Sequence, residues 1–141
     1  MRLHLAAAVV RHHVEQTVLR PAGLSWTAFI VLRQAAVRKD VESRVVAAET
    51  GIAKGTLTGV VDALVERGLL RRRGHPKDGR LVLLEATRAG RALVGRIMPA
   101  VQAEEALLLH GVSGKQLDQL GGVLAQLVQH VDSVEGRGRR R

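Results

Sequence analysis

The densest set of reactive side chains in this sequence is a basic run between residues 71 and 80. Its members are five cations and one carboxylate, namely Arg71, Arg72, Arg73, Lys77, Arg80 and Asp78. Guanidinium and ammonium groups bind phosphate well, so the chemistry that this run offers is recognition of a polyanion. A charge run by itself is more often a solvated surface, and the flanking segments must decide between the two readings.

The basic run lies within a predicted β-hairpin. Residues 69–73, LLRRR, and residues 80–85, RLVLLE, are typical of strands, and the segment GHPKDG between them is rich in turn formers. Alternation along a strand will turn some of the three consecutive arginines away from any ligand on one face. The hairpin therefore predicts a cationic projection from the surface of the protein.

Two predicted helices directly precede the hairpin. The first ends at Gly51, because glycine readily adopts the left-handed conformation that closes a helix. The second ends at Gly68 and carries one apolar stripe at helical spacing, formed by Leu57, Val60, Val61 and Leu64. Its opposite face offers small and polar groups, which allow close approach. A helix of this kind beside a cationic hairpin indicates a nucleic-acid-binding surface.

The segment TGIAKGTLTGVVDALVERGLLRRRGHPKDGRLVLLEATRAG resembles the MarR (multiple-antibiotic-resistance regulator) family of winged helix-turn-helix transcription factors. The resemblance includes the wing tip Asp78-Gly79-Arg80 and the helix opening Thr87-Arg88-Ala89-Gly90. It extends to LSWTAFIVL before this segment and IMPAVQAEEALLLHGVSGKQLDQL after it, and so covers nearly the whole chain. It implies a mainly α fold, with a two-stranded β wing and additional N- and C-terminal dimerisation helices.

The resemblance also implies DNA-binding roles for individual residues. The N-terminal half of the second helix is expected against base edges and nearby phosphates, through Lys54, Gly55, Thr56, Thr58 and Gly59. Arg80 is expected in the minor groove, with Asp78 orienting it. Backbone contacts are expected from Arg71, Arg72, Arg73, His75 and Lys77. Two residues depart from the family pattern: Gly59 replaces a common Arg, and Ala53 replaces a common Ser or Thr cap.

The length of 141 residues allows one domain with a substantial core. We assign residues 1–135 to a single domain, in which residues 24–87 form the DNA-binding lobe. Residues 1–23 and 88–135 carry surplus apolar stripes and are assigned to dimerisation. Residues 136–141, GRGRRR, have the composition of a disordered basic tail. A homodimer would present two recognition helices to an inverted-repeat operator.

By resemblance, the expected function is transcriptional regulation, with repression as the favoured mode and release by a small aromatic or anionic effector. Arg11, His12, His13 and Trp26 are the residues expected to line an effector cleft. The competing interpretation treats these four as ordinary surface and core residues. A second alternative is a winged-helix protein-interaction module without specific DNA binding, which Gly59, Asp62 and Glu66 favour and the cationic wing opposes.

Several classes of function are not expected. Cysteine is absent, which excludes disulfides, thiolate metal sites and cysteine redox switches. The six histidines are scattered, so no metal site and no cofactor is expected. We find no nucleophile with an evident base and no glycine loop for phosphate, and we expect no enzymatic activity. No stretch is apolar enough to span a bilayer, and we expect a cytoplasmic location with no membrane partner.

Overall fold

Helices dominate the chain, and three short strands interrupt them. The computed structural model describes residues 1–138, with side-chain surroundings described as far as Val131. The elements follow the order α1 (Arg2–Val14), a π-helical segment (Glu15–Leu19), α2 (Trp26–Val37), β1 (Val41–Glu42), α3 (Ser43–Thr50), α4 (Lys54–Glu66), β2 (Leu70–His75), β3 (Asp78–Ala86), α5 (Arg88–Leu108) and α6 (Gly114–Gly138). This order confirms the mainly α winged helix-turn-helix fold.

The helix boundaries follow from local chemistry that is visible in the sequence. Ser25 caps α2, because its hydroxyl oxygen accepts a hydrogen bond from the Ala28 N–H at 3.2 Å. Gly51 and Gly68 close α3 and α4 with φ values of 65° and 67°. Ala53 precedes α4 without any side-chain cap. The predicted turn between the two helices is therefore confirmed.

The sheet has three strands, one more than the sequence predicted. Its order is β1-β3-β2, and all pairs are antiparallel. Val41 pairs with Leu84 and Glu42 with Leu83, which places β1 on the free side of β3. Asp40 has a φ of 56°, a conformation that asparagine and aspartate tolerate better than most residues. This turn directs the two residues of β1 onto the sheet before α3 begins.

The core lies between the helices and the inner face of the sheet in the unit Met1–Ala106. Its most deeply buried side chains come from α1, the π-helical segment, α2, α3, α4 and the strands, and they include Val14, Leu19, Leu32, Val46, Leu64, Leu70 and Leu84. The predicted stripe of α4 is confirmed, since Leu57, Val61 and Leu64 are buried and Val60 is half-buried. The core thus holds α4 by one face and leaves the other in solvent.

The second unit begins at Leu107 and consists mainly of α6. Ser113 caps this helix, since its hydroxyl accepts from the Gln116 N–H at 3.4 Å. The helix leaves a stripe of apolar side chains exposed, which comprises Leu120, Val123, Leu124, Leu127, Val128 and Val131. The backbone is helical to Gly138, so the tail predicted at 136–141 begins inside the helix, and residues 139–141 lie outside the described residues.

Within residues 1–138, no helix combines the length and the apolar content needed to cross a lipid bilayer.

The start of α5 passes unusually close to the strand that leads into the wing. The Thr87 hydroxyl donates to the Gly68 carbonyl oxygen at 2.7 Å and accepts from the Gly90 N–H at 3.1 Å. A Cβ atom at Gly90 would lie 2.1 Å from the Leu69 carbonyl oxygen and 3.1 Å from a methyl carbon of Leu32. Only glycine fits at this crossing without movement of the backbone.

We predict that Gly90→Ala lowers the free energy of unfolding by about 2–3 kcal/mol, because the added methyl group overlaps backbone rather than a flexible side chain. Gly95→Ala is the matched control, since Gly95 lies on the same helix and a Cβ there meets nothing within 4 Å. The control is expected to gain about 0.8–1.0 kcal/mol from helix propensity. Urea unfolding of both variants measures the difference, and equal stabilities would contradict the close approach.

Candidate nucleic-acid interface and adjoining cleft

The exposed face of α4 carries every residue that the sequence assigned to base recognition. Lys54, Gly55, Thr56, Thr58 and Gly59 are all exposed. A Cβ at either glycine would meet nothing within 4 Å, so internal packing does not require glycine at these two positions. The Thr58 hydroxyl donates to the Lys54 carbonyl oxygen at 3.0 Å, which keeps the side chain close to the helix. The face is therefore low in relief and open to an approaching surface.

Strand alternation divides the three consecutive arginines of β2 between the two faces of the sheet. Arg72 lies opposite Leu84 on the face that also carries the buried Leu70. Arg71 and Arg73 lie opposite Glu85 and Leu83 on the other face. The sequence predicted that alternation would separate these arginines. The strand register shows that Arg72 lies on one face of the sheet and that Arg71 and Arg73 lie on the other.

On the outer face, the two arginines are engaged by carboxylates. Arg71 donates twice to Glu85, with distances of 2.9 and 2.7 Å to the two carboxylate oxygens. Arg73 lies 3.4 Å from both Asp40 and Glu85. The Arg71 guanidinium holds the pKa of Glu85 below its ordinary value, and Glu85 in turn raises the pKa of Arg71. Much of the predicted positive charge is therefore balanced within the sheet.

The wing tip is ordered by contacts to the backbone. A carboxylate oxygen of Asp78 accepts from the Arg80 backbone N–H at 3.0 Å, and Nδ1 of His75 accepts from the Lys77 N–H at 3.2 Å. Asp78 thus orients the Arg80 backbone, while the guanidinium extends from an exposed residue. Among the described residues, no carboxylate lies within ion-pair distance of Lys54, Lys77 or Arg80. These three cations are available to a partner.

Near the start of α2, a cleft of about 510 Å³ contains three of the four residues that the sequence grouped as an effector site. Its lining comprises Ala8, Arg11, His12, Glu15, Gln16, Arg20, Trp26 and Thr27. Trp26 is half-buried and packs against the buried Phe29, with ring centroids 6.2 Å apart. Two guanidinium groups and one indole therefore border the same opening.

The sequence analysis missed the residue that organises this cleft, Glu15. Its carboxylate accepts from the Trp26 backbone N–H at 3.0 Å and from Nε of Arg20 at 3.0 Å. The hydrogen bond from the Trp26 backbone is the main reason that the pKa of Glu15 is lowered, and Arg20 adds to it. Glu15 opens the π-helical segment, a feature that often marks functional sites and that no sequence signal predicted.

The structure separates His13 from the other three residues predicted to line the cleft. His13 is half-buried, and its Nε2 atom lies 2.8 Å from a carboxylate oxygen of Glu104 on α5. Adjacent residues on a helix point about 100° apart, which is why His12 borders the cleft and His13 does not. His13 instead joins α1 to α5.

Within the described residues, no group of three His, Asp or Glu side chains is placed to hold a metal ion.

Comparison with known proteins identifies the architecture. A model of the MarR family matches residues 22–81, which run from the turn before α2 into the wing. A MarR-family transcriptional regulator from Rhodococcus sp. RHA1 is 30% identical and superimposes with a TM-score of 0.83, the match covering 89% of each chain. The chain belongs to the MarR family. Members of this family are DNA-binding transcriptional regulators, and some of them respond to ligands.

Two further relatives bear on the family assignment. An uncharacterized HTH-type transcriptional regulator of Bacillus subtilis, YwaE, is 28% identical over 129 residues, which are 92% of this chain and 75% of YwaE. CouR from Rhodococcus jostii RHA1, solved with p-coumaroyl-CoA bound, is 29% identical with a TM-score of 0.80. That match covers 89% of this chain and 88% of CouR. The MarR fold is thus matched well beyond the helix-turn-helix itself.

We predict that Glu15→Gln costs about 1 kcal/mol of unfolding free energy at pH 7, because the carboxylate caps α2 and holds Arg20. The pKa of Glu15 is lowered in the folded protein, so its contribution is complete above the ordinary value of 4.5 and disappears as pH falls through the lowered value. Urea unfolding from pH 7 to pH 3 should show the two proteins converging. Glu105→Gln, which alters an exposed carboxylate on α5, should match wild type at every pH.

Proposed function

We propose that this MarR-family protein is a cytoplasmic repressor that binds an inverted-repeat operator as a homodimer. The observation that carries the proposal is the pairing of an exposed, low-relief α4 face with a wing whose tip cations have no carboxylate within ion-pair distance in the described part of the chain. The face of α4 would enter the major groove, and the wing tip would reach the adjacent minor groove. Repression follows if the operator overlaps the site that RNA polymerase uses.

The ion pairs of the sheet refine the predicted set of DNA contacts. A guanidinium that already donates twice to Glu85 must give up those bonds to bind phosphate, which reduces what Arg71 gains. Lys54, Lys77 and Arg80 have no such competitor among the described residues. We therefore assign the main contacts to these three cations, with Gly55, Thr56, Thr58 and Gly59 against the bases. Arg71, Arg73 and His75 are assigned to the margin of the interface.

The two ends of the chain support the homodimer. On α1, Leu5 and Val9 are 65% and 57% exposed, and on α6, Val123 and Val128 are 62% and 60% exposed. Helices that expose apolar stripes to water usually bury them against a partner. A two-fold axis would bring two copies of each stripe together and would set the recognition helices about one helical turn of DNA apart.

An anionic aromatic effector is proposed for the cleft near the start of α2. Arg11 and Arg20 supply positive charge, and Trp26 supplies an aromatic face. The volume of about 510 Å³ is sufficient for an aromatic acid. CouR was solved with p-coumaroyl-CoA bound, and the aromatic acyl group of that ligand supports an aromatic ligand here. Occupation of the cleft beside α2 would shift the equilibrium between DNA-competent and DNA-incompetent arrangements.

We predict that Arg80→Ala lowers operator affinity about tenfold and reduces the dependence of binding on salt, because one DNA contact is lost. The operator can be obtained by sequencing genomic fragments that the purified protein retains, and affinity measured by fluorescence anisotropy. Arg96→Ala is the matched control, since Arg96 is exposed on α5 outside the proposed interface. It should remain within about twofold of wild type.

Wild-type protein should sediment as a dimer under the conditions of the DNA titration. A protein that binds no duplex at any salt concentration would favour the alternative, a winged-helix module for protein interaction. If Arg80→Ala retains full operator affinity, the wing tip is not part of the DNA interface. If a monomer binds a half-site with full affinity, the proposed two-fold arrangement of the homodimer on its operator is wrong.

We predict that p-coumarate, an aromatic carboxylate, binds the cleft and that Arg11→Ala weakens this binding about tenfold, as expected for a lost charge-assisted hydrogen bond. Isothermal titration calorimetry provides the affinity. Arg2→Ala is the control, because Arg2 lies on the same helix and does not line the cleft. The uncharged amide of the same acid should bind more weakly than the carboxylate. Equal binding of acid and amide, or an unchanged affinity in Arg11→Ala, would contradict the proposed site.

A further inference from the structure

The arginine on the inner face of β2 connects the wing to the recognition helix α4. Arg72 has its Nη2 atom 2.6 Å from a carboxylate oxygen of Asp62, which lies in the middle of α4. Asp62 stands four residues after Thr58, on the same face as the proposed base contacts. The ion pair therefore joins the two parts of the proposed interface, the helix and the wing.

We propose that the Asp62–Arg72 ion pair is a positioning device, which holds the wing at the angle to α4 that operator binding requires. This inference rests on the proposed DNA-binding function. It assigns Asp62 and Arg72 to the geometry of the interface and takes Arg72 out of the group of phosphate contacts. Neither residue is required to touch a base or a phosphate.

The placement of buried residues explains why the wing needs such a device. Leu70, Leu83 and Leu84 are buried at the base of the hairpin, whereas no residue from Arg71 to Val82 is buried. The part of the hairpin beyond Leu70 is therefore held by strand pairing and by polar side-chain contacts. Among the described contacts, Asp62–Arg72 is the one side-chain ion pair or hydrogen bond that joins this part to α4. Its loss would remove the polar side-chain contact that fixes the wing relative to α4, while Arg73–Asp40 and the pairing of β1 with β3 would still hold the base of the sheet.

The direction in which DNA affinity changes when Asp62 is neutralised distinguishes a positioning role from a purely electrostatic one. A carboxylate on a surface that meets DNA repels phosphate, and its neutralisation should tighten binding if charge were its only influence. The positioning role predicts the opposite, because Asp62→Asn releases Arg72. Asp62 and Arg72 have side-chain exposures of 60% and 37%, so the pair should contribute little to global stability. Substitution of either residue should therefore change DNA affinity without a large change in folding stability.

The test compares wild type, Asp62→Asn, Arg72→Gln and the double variant by anisotropy with operator DNA, alongside thermal melting. Each single variant should bind the operator about fivefold more weakly with a nearly unchanged melting temperature, and the double variant should bind no worse than either single variant. The slope of affinity against salt should stay the same in Asp62→Asn, since no phosphate contact is lost. Asp62→Glu, which retains the charge, should recover most of the affinity.

Glu66→Gln is the matched control, because Glu66 is an exposed carboxylate one turn later on α4 with no ion pair among the described contacts. It should bind as wild type does or slightly more tightly. If Asp62→Asn behaves like this control, or if the two single losses simply add in the double variant, the positioning role is overturned. If wild type itself binds no duplex, the proposed DNA-binding function fails instead, and the result does not depend on the ion pair.

Discussion

The alternation of side chains along β2 is the constraint on which the chemistry of the wing depends. Three consecutive arginines cannot all face the same partner, because successive residues of a strand point to opposite sides. On the outer face of the sheet, Arg71 pairs with Glu85 and Arg73 pairs with Asp40. On the inner face, Arg72 pairs with Asp62. A run that reads as one basic patch is thus three separate ion-pair positions, and the positive charge available to DNA is concentrated at the tip of the hairpin and the start of α4.

Balanced charge within the wing has consequences for selectivity. Cations that are free of carboxylates attract any polyanion, and their contribution falls as salt rises. Cations that are paired within the sheet add rigidity and little nonspecific attraction. On the exposed face of α4, the glycines and threonines allow close approach, and Lys54 is the one long cationic side chain among the residues assigned to that face. On the proposed interface, recognition would depend on how well the shapes of protein and groove agree, and the angle between α4 and the wing would then matter as much as the identity of any contact.

The sequence predicted the two consecutive helices and the hairpin that follows them, the helix ends at Gly51 and Gly68, and the buried stripe of α4, because each has a local signature. It did not predict β1, which depends on the turn at Asp40 and on the free edge of β3. It did not predict the π-helical segment, and it did not predict the role of Glu15, which depends on a contact across eleven residues. The contact of His13 with Glu104 could not be predicted, because the two residues are far apart in sequence. Contacts between residues that are far apart in the chain produce no periodic pattern in the sequence from which they could be predicted.

The π-helical segment makes the orientation of α1 sensitive to the number of residues in the chain at this point. A π turn accommodates an additional residue within a helix, and the chain around it keeps its direction. Loss of one residue between Glu15 and Leu19 would restore regular α-helical spacing and rotate everything before it by roughly 100° about the axis. Arg11 and His12 would then point away from Trp26. Length at this position, more than the identity of any side chain, therefore determines whether α1 contributes Arg11 and His12 to the cleft.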